Sequence, residues 1–203
     1  LIKTGSAGSD LNFSSIEGDA DAFDWYTAAF NNSTLEGGSG NDLFLISVKN
    51  DGEDAYGVIG SGLNFGNGEN SASINIDASN VSSAAIRESS LSWGSGSDSL
   101  TVLSNQKGIS SSSLDTGGGN DFIEIMSSLH SVNESTIETG DGADKISIAK
   151  TADFNFSLLN SIIDLGADND DISLYNAQDS TIDGGGGIDR ITLPGQRDDY
   201  VID

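Results

Sequence analysis

The chain has 203 residues, with 32 Asp and Glu against 8 Lys and Arg for a formal charge of −24, a length that suits one domain with a sizeable core. So negative a surface repels phosphate backbones and anionic bilayers, which argues against nucleic-acid partners and membrane insertion. The absence of Cys and the single His argue likewise against disulfides and against thiolate or imidazole metal sites.

No apolar run is long enough to span a bilayer, and the opening LIKTGSAGSD lacks the charged and apolar regions of a signal peptide. Residues 1–32 are read as an N-terminal cap with a degenerate coil. Their best helical period lies around Phe23 to Phe30, and Phe23, Trp25, Tyr26 and Phe30 form an aromatic cluster suited to covering an open end. Beyond it, LFLIS (43–47), FIEIM (122–126), KISIA (145–149), DISLY (171–175) and RITL (190–193) alternate apolar and polar residues, the period of a half-buried strand. Each follows a turn rich in Gly and Asp. The segment 194–203 is read as a C-terminal cap strand.

A repeat organises everything between the caps. STLEGGSGND (33–42), SGLNFGNGEN (61–70), SSLSWGSGSD (89–98), SSLDTGGGND (112–121), STIETGDGAD (135–144), SIIDLGADND (161–170) and STIDGGGGID (180–189) align without gaps. In each, a Ser is followed nine residues later by Asp, or by Asn at position 70, whereas the spacing from Ser to Ser runs 28, 28, 23, 23, 26 and 19. A fixed element joined by variable connections means structure joined by loops. The third position is always apolar, from Leu35 to Ile182, and short repeats with one apolar face bury it only by stacking. The expected fold is therefore an all-β parallel solenoid, a β-roll or β-helix of about seven coils with two short strands each. One edge holds the Gly/Asp turns, and the other holds variable loops and a ladder of the repeated serines.

The turns themselves resemble the glycine- and aspartate-rich nonapeptide G-G-x-G-x-D-x-U-x, U being apolar, of the repeats-in-toxin or haemolysin-type calcium-binding family. GGSGNDLFL (37–45) and GGGGIDRIT (184–192) match every fixed position; TGGGNDFIE, TGDGADKIS and WGSGSDSLT miss only the first Gly. LGADNDDIS (165–173) also carries Asp168 in place of the last Gly, and FGNGENSAS carries Asn70 in place of Asp. The resemblance spans residues 33–193. It departs from the family in having one such edge where the family has two, so a divergent one-edge variant is implied.

Stacking places Asp42, Asp98, Asp121, Asp144, Asp170 and Asp189 in one file at the strand spacing. Neighbouring carboxylates ~4.8 Å apart repel by roughly 3–4 kcal/mol at an effective dielectric near 20. A second file, Glu36, Asp115, Glu138, Asp164 and Asp183, adds to this. A cation between coils relieves the repulsion, and with only oxygen ligands on offer the favoured ion is Ca²⁺. The resemblance implies ions between successive turns, held by the Asp of both and by turn carbonyls among Gly94, Gly96, Gly117, Gly119, Gly140, Gly142, Gly166, Asp168, Gly185 and Gly187. About four strong sites are expected from Asp98 to Asp189, and up to six in all, those at Asn70 being weaker. The alternative is a metal-free ladder in which each Asp caps N–H groups of its own turn.

His130 sits in a Ser-rich loop and is read as a solvated side chain, so no catalytic constellation is expected. The functional expectation is an extracellular, secreted or surface-exposed calcium-binding module, structural or adhesive, whose folding is coupled to the ion. Proteins of the resembled family are exported unfolded and fold where calcium is plentiful. Calcium ions are the expected partners, with surface glycans or further copies of the chain beside them. Alternatives are a repeat module accompanying a secreted hydrolase or epimerase, and a virion-spike or surface-layer component.

Overall fold

The computed structural model describes residues 2–3, 16–17, 26–50, 52–150 and 156–193. Among these every regular element is a β-strand, and every pairing is parallel. The strands form three sheets, so each coil has three sides where the repeat suggested two. The first sheet follows the repeated Ser: Ile2–Lys3, Thr34–Gly38, Gly62–Gly66, Ser90–Ser92, Ser113–Asp115, Thr136–Glu138, Ile162–Asp164 and Thr181–Asp183. The second follows the Gly/Asp turn: Ile16–Glu17, Leu43–Asn50, Ser71–Ala78, Ser99–Ser104, Phe122–Ser127, Lys145–Lys150, Asp171–Leu174 and Arg190–Thr192. The third, which the sequence did not announce, comprises Tyr26–Asn31, Asp54–Ile59, Ala84–Arg87, Lys107–Ser110, Val132–Asn133, Leu158–Leu159 and Ala177–Gln178.

Register explains the core. On the first sheet Leu35, Leu63, Leu91, Leu114, Ile137, Ile163 and Ile182 pair in one file. The second sheet turns Ile74, Val102, Ile125 and Ile148 inward, and the third turns Val58, Ile86, Ile109, Val132 and Leu158 inward. These files meet along the axis and, apart from the partly buried Ile182, are almost wholly buried, so each rung seals the apolar face of the next.

The N-terminal half widens its core with aromatics. Phe30, Phe44, Phe65 and Trp93 run rung to rung with ring centroids 5.3, 5.4 and 4.6 Å apart, within the range of favourable ring pairs. Phe30 thus belongs to the core, and Tyr26–Asn31 is a strand rather than the helix suggested for this stretch. Phe23, Trp25 and the C-terminal segment 194–203 lie outside the described residues.

Three sides make three corners. The varying repeat length falls between each Gly/Asp turn and the next Ser, in the strands of the second and third sheets and in the connections between them, such as residues 79–83, 105–106 and 128–131. The repeated serines occupy a different corner, between the third and first sheets, and this corrects the expectation of a joint loop-and-serine edge. The residue before each of these serines takes a left-handed conformation: Asn32, Glu88, Ser111, Glu134, Asn160 and Asp179 have φ between 46° and 50°, and Gly60 has φ 58°. Such a backbone costs about 1 kcal/mol or more outside glycine. Its recurrence shows that the coil needs a sharp bend there.

Candidate functional site

The Gly/Asp turns join the first sheet to the second, and they stack in register. Ser95, Gly118, Asp141, Ala167 and Gly186 form a continuous run of parallel bridges through the turns themselves. Glycine is needed for this close stacking. At Gly119 and Gly142 φ is 133° and 130°, and a Cβ would fall 1.9 Å from the carbonyl oxygen of Gly96 or Gly119 on the preceding rung.

Asp98, Asp121, Asp144 and Asp170 are 2% exposed. Each carboxylate reaches back one rung. Asp98 N–H donates to Oδ1 of Asp121, Asp121 N–H to Asp144 and Asp144 N–H to Asp170, all at 2.8 Å. Asp170 N–H donates to Asp189 Oδ1 at 3.1 Å, and the ladder begins with Asp42 N–H on Asn70 Oδ1 and Asn70 N–H on Asp98 Oδ1. The bonds therefore cross between rungs instead of closing each Asp on its own turn. Capping within the turn belongs to the outer file, where Asp115, Asp164 and Asp183 accept from the N–H of Gly117, Gly166 and Gly185.

The second oxygen is the unusual one. Oδ2 of Asp98, Asp121, Asp144 and Asp170 is buried and accepts no hydrogen bond. Asn70 shows what stands opposite: its Nδ2 donates to the carbonyls of Gly66 at 3.3 Å and Gly68 at 3.1 Å. The Asp side chains share Asn70's Oδ1 bond, so Oδ2 takes the place of that amide nitrogen and brings an acceptor where Asn70 has a donor; the Thr116 and Thr139 hydroxyls beside Asp121 and Asp144 donate instead to the carbonyls of Thr139 and Leu165. The carbonyls of Gly94, Gly117, Gly140 and Gly166 are engaged by N–H groups of the next rung. Those of Gly96, Gly119 and Gly142 accept no backbone N–H among the described residues.

A buried acceptor without a donor is costly unless a proton or a cation reaches it. Burial accordingly pushes Asp98 and Asp144 up to about 6, with N–H bonds from Asn70 and Asp121 working against it. Asp121 and Asp170 are raised for the same reason. Among the described residues no three carboxylate or imidazole side chains converge on one point, so a metal here would draw on carbonyl oxygens as well as Asp. The donor set fits a hard cation tolerant of mixed oxygen ligands. Asp42 lies in the same file, as does Asp189 at the last described turn. Gly185 and Gly187 continue the glycine files with φ of 72° and 144°, and Asp168 takes a glycine position at φ 82°.

At the serine corner, N–H of Ser33, Ser61, Ser89, Ser112, Ser135 and Ser161 donates to the hydroxyl of the serine one rung on, at 3.0–3.1 Å. The hydroxyls of Ser33, Ser61, Ser89, Ser112, Ser135, Ser161 and Ser180 donate to a carbonyl two residues back. The expected serine ladder is present and complete. His130 is not solvated as expected: it is half-buried, its Nδ1 is buried without a hydrogen bond, and desolvation lowers its pKa.

No protein-family model matches this chain, and no curated protein or solved structure matches it either.

Proposed function

We propose that the chain is an extracellular structural or adhesive module that takes up calcium between successive Gly/Asp turns, without enzymatic activity. The observation that carries this reading is the file of buried, unpartnered carboxylate oxygens on Asp98, Asp121, Asp144 and Asp170. At neutral pH four such charges in a low-dielectric column oppose stacking, and a divalent ion between neighbours converts the repulsion into attraction. The ligands would be the two flanking Asp side chains and the carbonyls of Gly96, Gly119, Gly142 or their equivalents. The ion supplies charge neutralisation and a bridge between rungs; the chain supplies preformed oxygens on glycine turns. Because unfolded turns hold no such site, ion binding adds directly to folding free energy. A secreted module of this kind stays open at low calcium and closes at the millimolar level, where extracellular calcium modules typically bind.

The test is thermal unfolding at pH 7 followed by circular dichroism, in chelator and in millimolar Ca²⁺, with metal content by elemental analysis. About four bound ions and a large calcium-dependent rise in Tm are expected. Equal Tm in both buffers and a metal-free protein would overturn the calcium reading and leave the solenoid standing.

A further inference from the structure

Away from the Gly/Asp turns, the outer face of the third sheet carries a recess of about 320 Å³ walled by polar side chains, among them Ser82, Arg87, Lys107, Ser110, Asn133 and Glu134. In a chain with 8 basic residues against 32 acidic ones, two cations in one wall are notable. Lys107 pairs in register with Ala84, and Ser110 with Arg87, so the cations sit on adjacent strands at opposite ends of the recess.

Arg87 is held from behind. Its Nη1 donates to the Tyr56 hydroxyl at 2.8 Å, its guanidinium lies 5.4 Å from the Tyr56 ring centre, and its Nε donates to Glu88 at 3.0 Å. Tyr56 is itself buried and donates to Asp54 at 3.1 Å. This chain of contacts fixes the guanidinium while leaving its other N–H donors free for a ligand. Lys107 forms no ion pair among the described residues. Glu134 follows Asn133, which pairs with Ser110 and through it with Arg87, so its carboxylate lies at the Arg87 end, where it accepts from the Ser111 hydroxyl at 3.3 Å. Ser111 and Glu134 also border a shallow trough over the serine corner, floored by Gly60, Gly62, Ser90 and Ser113.

We propose that this recess binds a carboxylate-bearing sugar, its carboxylate meeting Lys107 at one end and its ring hydroxyls meeting Arg87, Glu134, Asn133 and Ser110 at the other. Each part of the wall selects against another class of ligand. A bare inorganic anion leaves the Glu134 carboxylate without a hydroxyl to accept from, and a neutral sugar leaves the Lys107 ammonium unmatched. The net charge of −24 disfavours a densely sulfated polymer. The trough, lined by glycines and serines with Glu88 and Glu134 among them, offers acceptors to the hydroxyls of a neutral sugar unit continuing across the corner. The recess is within the volume range of small-ligand sites, and the assignment does not depend on calcium at the turns.

The experiment is a titration of the ¹⁵N-labelled chain with D-glucuronate and, separately, with D-glucose, followed by amide shifts, for the natural sequence and Lys107→Gln. Glucuronate is expected to move the amides around Arg87, Lys107, Ser110 and Asn133, with glucose about tenfold weaker and Lys107→Gln lowering glucuronate affinity by about tenfold. No response to glucuronate, equal response to both sugars, or an unchanged affinity in Lys107→Gln would overturn the proposal. So would shifts confined to the Gly/Asp turns, which would mark the sugar as a ligand of bound metal instead. Failure of the calcium reading would show as a chelator-insensitive Tm and would leave these shifts unaffected.

Discussion

The serine corner and the Gly/Asp corner solve one problem with the same device and reach different outcomes. At both, a backbone N–H on one rung donates to a side-chain oxygen on the next, as Ser89 does to Ser112 at 3.1 Å and Asp98 to Asp121 at 2.8 Å. A hydroxyl also has a proton to give, and Ser112 gives it to the carbonyl of Ser110. A carboxylate has a second acceptor instead, and Oδ2 of Asp121 receives nothing. The serine corner is therefore complete as polypeptide, while the acidic corner is one positive charge short. Asn70 lies between these cases: it keeps the Asp geometry, and its amide closes on the carbonyls of Gly66 and Gly68. The molecule thus contains a neutral version of its own acidic site.

Giving the acidic corner the amides of Asn70 should erase the difference between the two corners. The triple substitution Asp98→Asn, Asp121→Asn and Asp144→Asn gives each side chain a donor for the facing carbonyls. Relieving a buried unpaired group is worth ~1–3 kcal/mol. Three together should raise Tm in chelator by roughly 10–20 °C and remove most of the calcium-dependent gain. If the triple variant is no more stable than the natural chain in chelator, the second oxygens are not the weak point.

A change at the serine corner should behave oppositely with respect to metal. Ser112→Ala leaves the Ser89 N–H and the Ser110 carbonyl without their partner at a buried site, a loss of ~1–3 kcal/mol. Tm should fall by roughly 4–8 °C, equally in calcium and in chelator. A deficit that calcium repairs would mean the two corners are coupled.

How far these corners could be read from the sequence follows from how local each signal is. The nine-residue interval from Ser to Asp fixed both files, because it crosses one strand and one turn of constant length; Ile123 and Ile125 were legible as inward residues from their period of two. The third sheet was not, since Val132–Asn133, Leu158–Leu159 and Ala177–Gln178 are two residues long and present no period. The left-handed residue before each Ser had a weak signal in the Asn, Gly and Asp at positions 32, 60, 160 and 179, masked by Glu at 88 and 134. That each Asp carboxylate accepts from the preceding rung depends on stacking, which no single repeat encodes. Arg87 and Tyr56 lie 31 residues apart, and nothing in either sequence context links them.

Acidity offers a gentler handle on the acidic corner. Unfolded carboxyl groups titrate near 4, whereas burial pushes folded Asp98 and Asp144 up to about 6. A carboxyl that holds its proton more tightly when folded contributes stability in acid, and that contribution fades as pH rises from about 4 through about 6. In chelator, Tm at pH 5 should exceed Tm at pH 7 by about 5 °C. In calcium the sign reverses, because protons then compete with the ion for the same oxygens. A metal-free chain that is most stable at pH 7 would show that these carboxylates are not strained by burial.

Position 70 allows the reverse substitution, from the neutral version of the site to the acidic one. Asn70→Asp replaces the amide that donates to Gly66 and Gly68 with an acceptor, while Oδ1 continues to receive the Asp42 N–H. Position 70 is 1% exposed, so the new charge enters the column beside Asp98 without solvent to screen it. In chelator this should lower Tm by roughly 2–4 °C, the equivalent of about 1 kcal/mol. In calcium the loss should be recovered and one further ion bound per chain, because Gly68 then offers the same carbonyl to a cation that Gly96 and Gly119 offer beside Asp98 and Asp121. An Asn70→Asp chain that loses stability in both buffers and binds no additional ion would show that a carboxylate facing turn carbonyls is insufficient to recruit calcium, and the Asp file would then be a ladder held by protons alone.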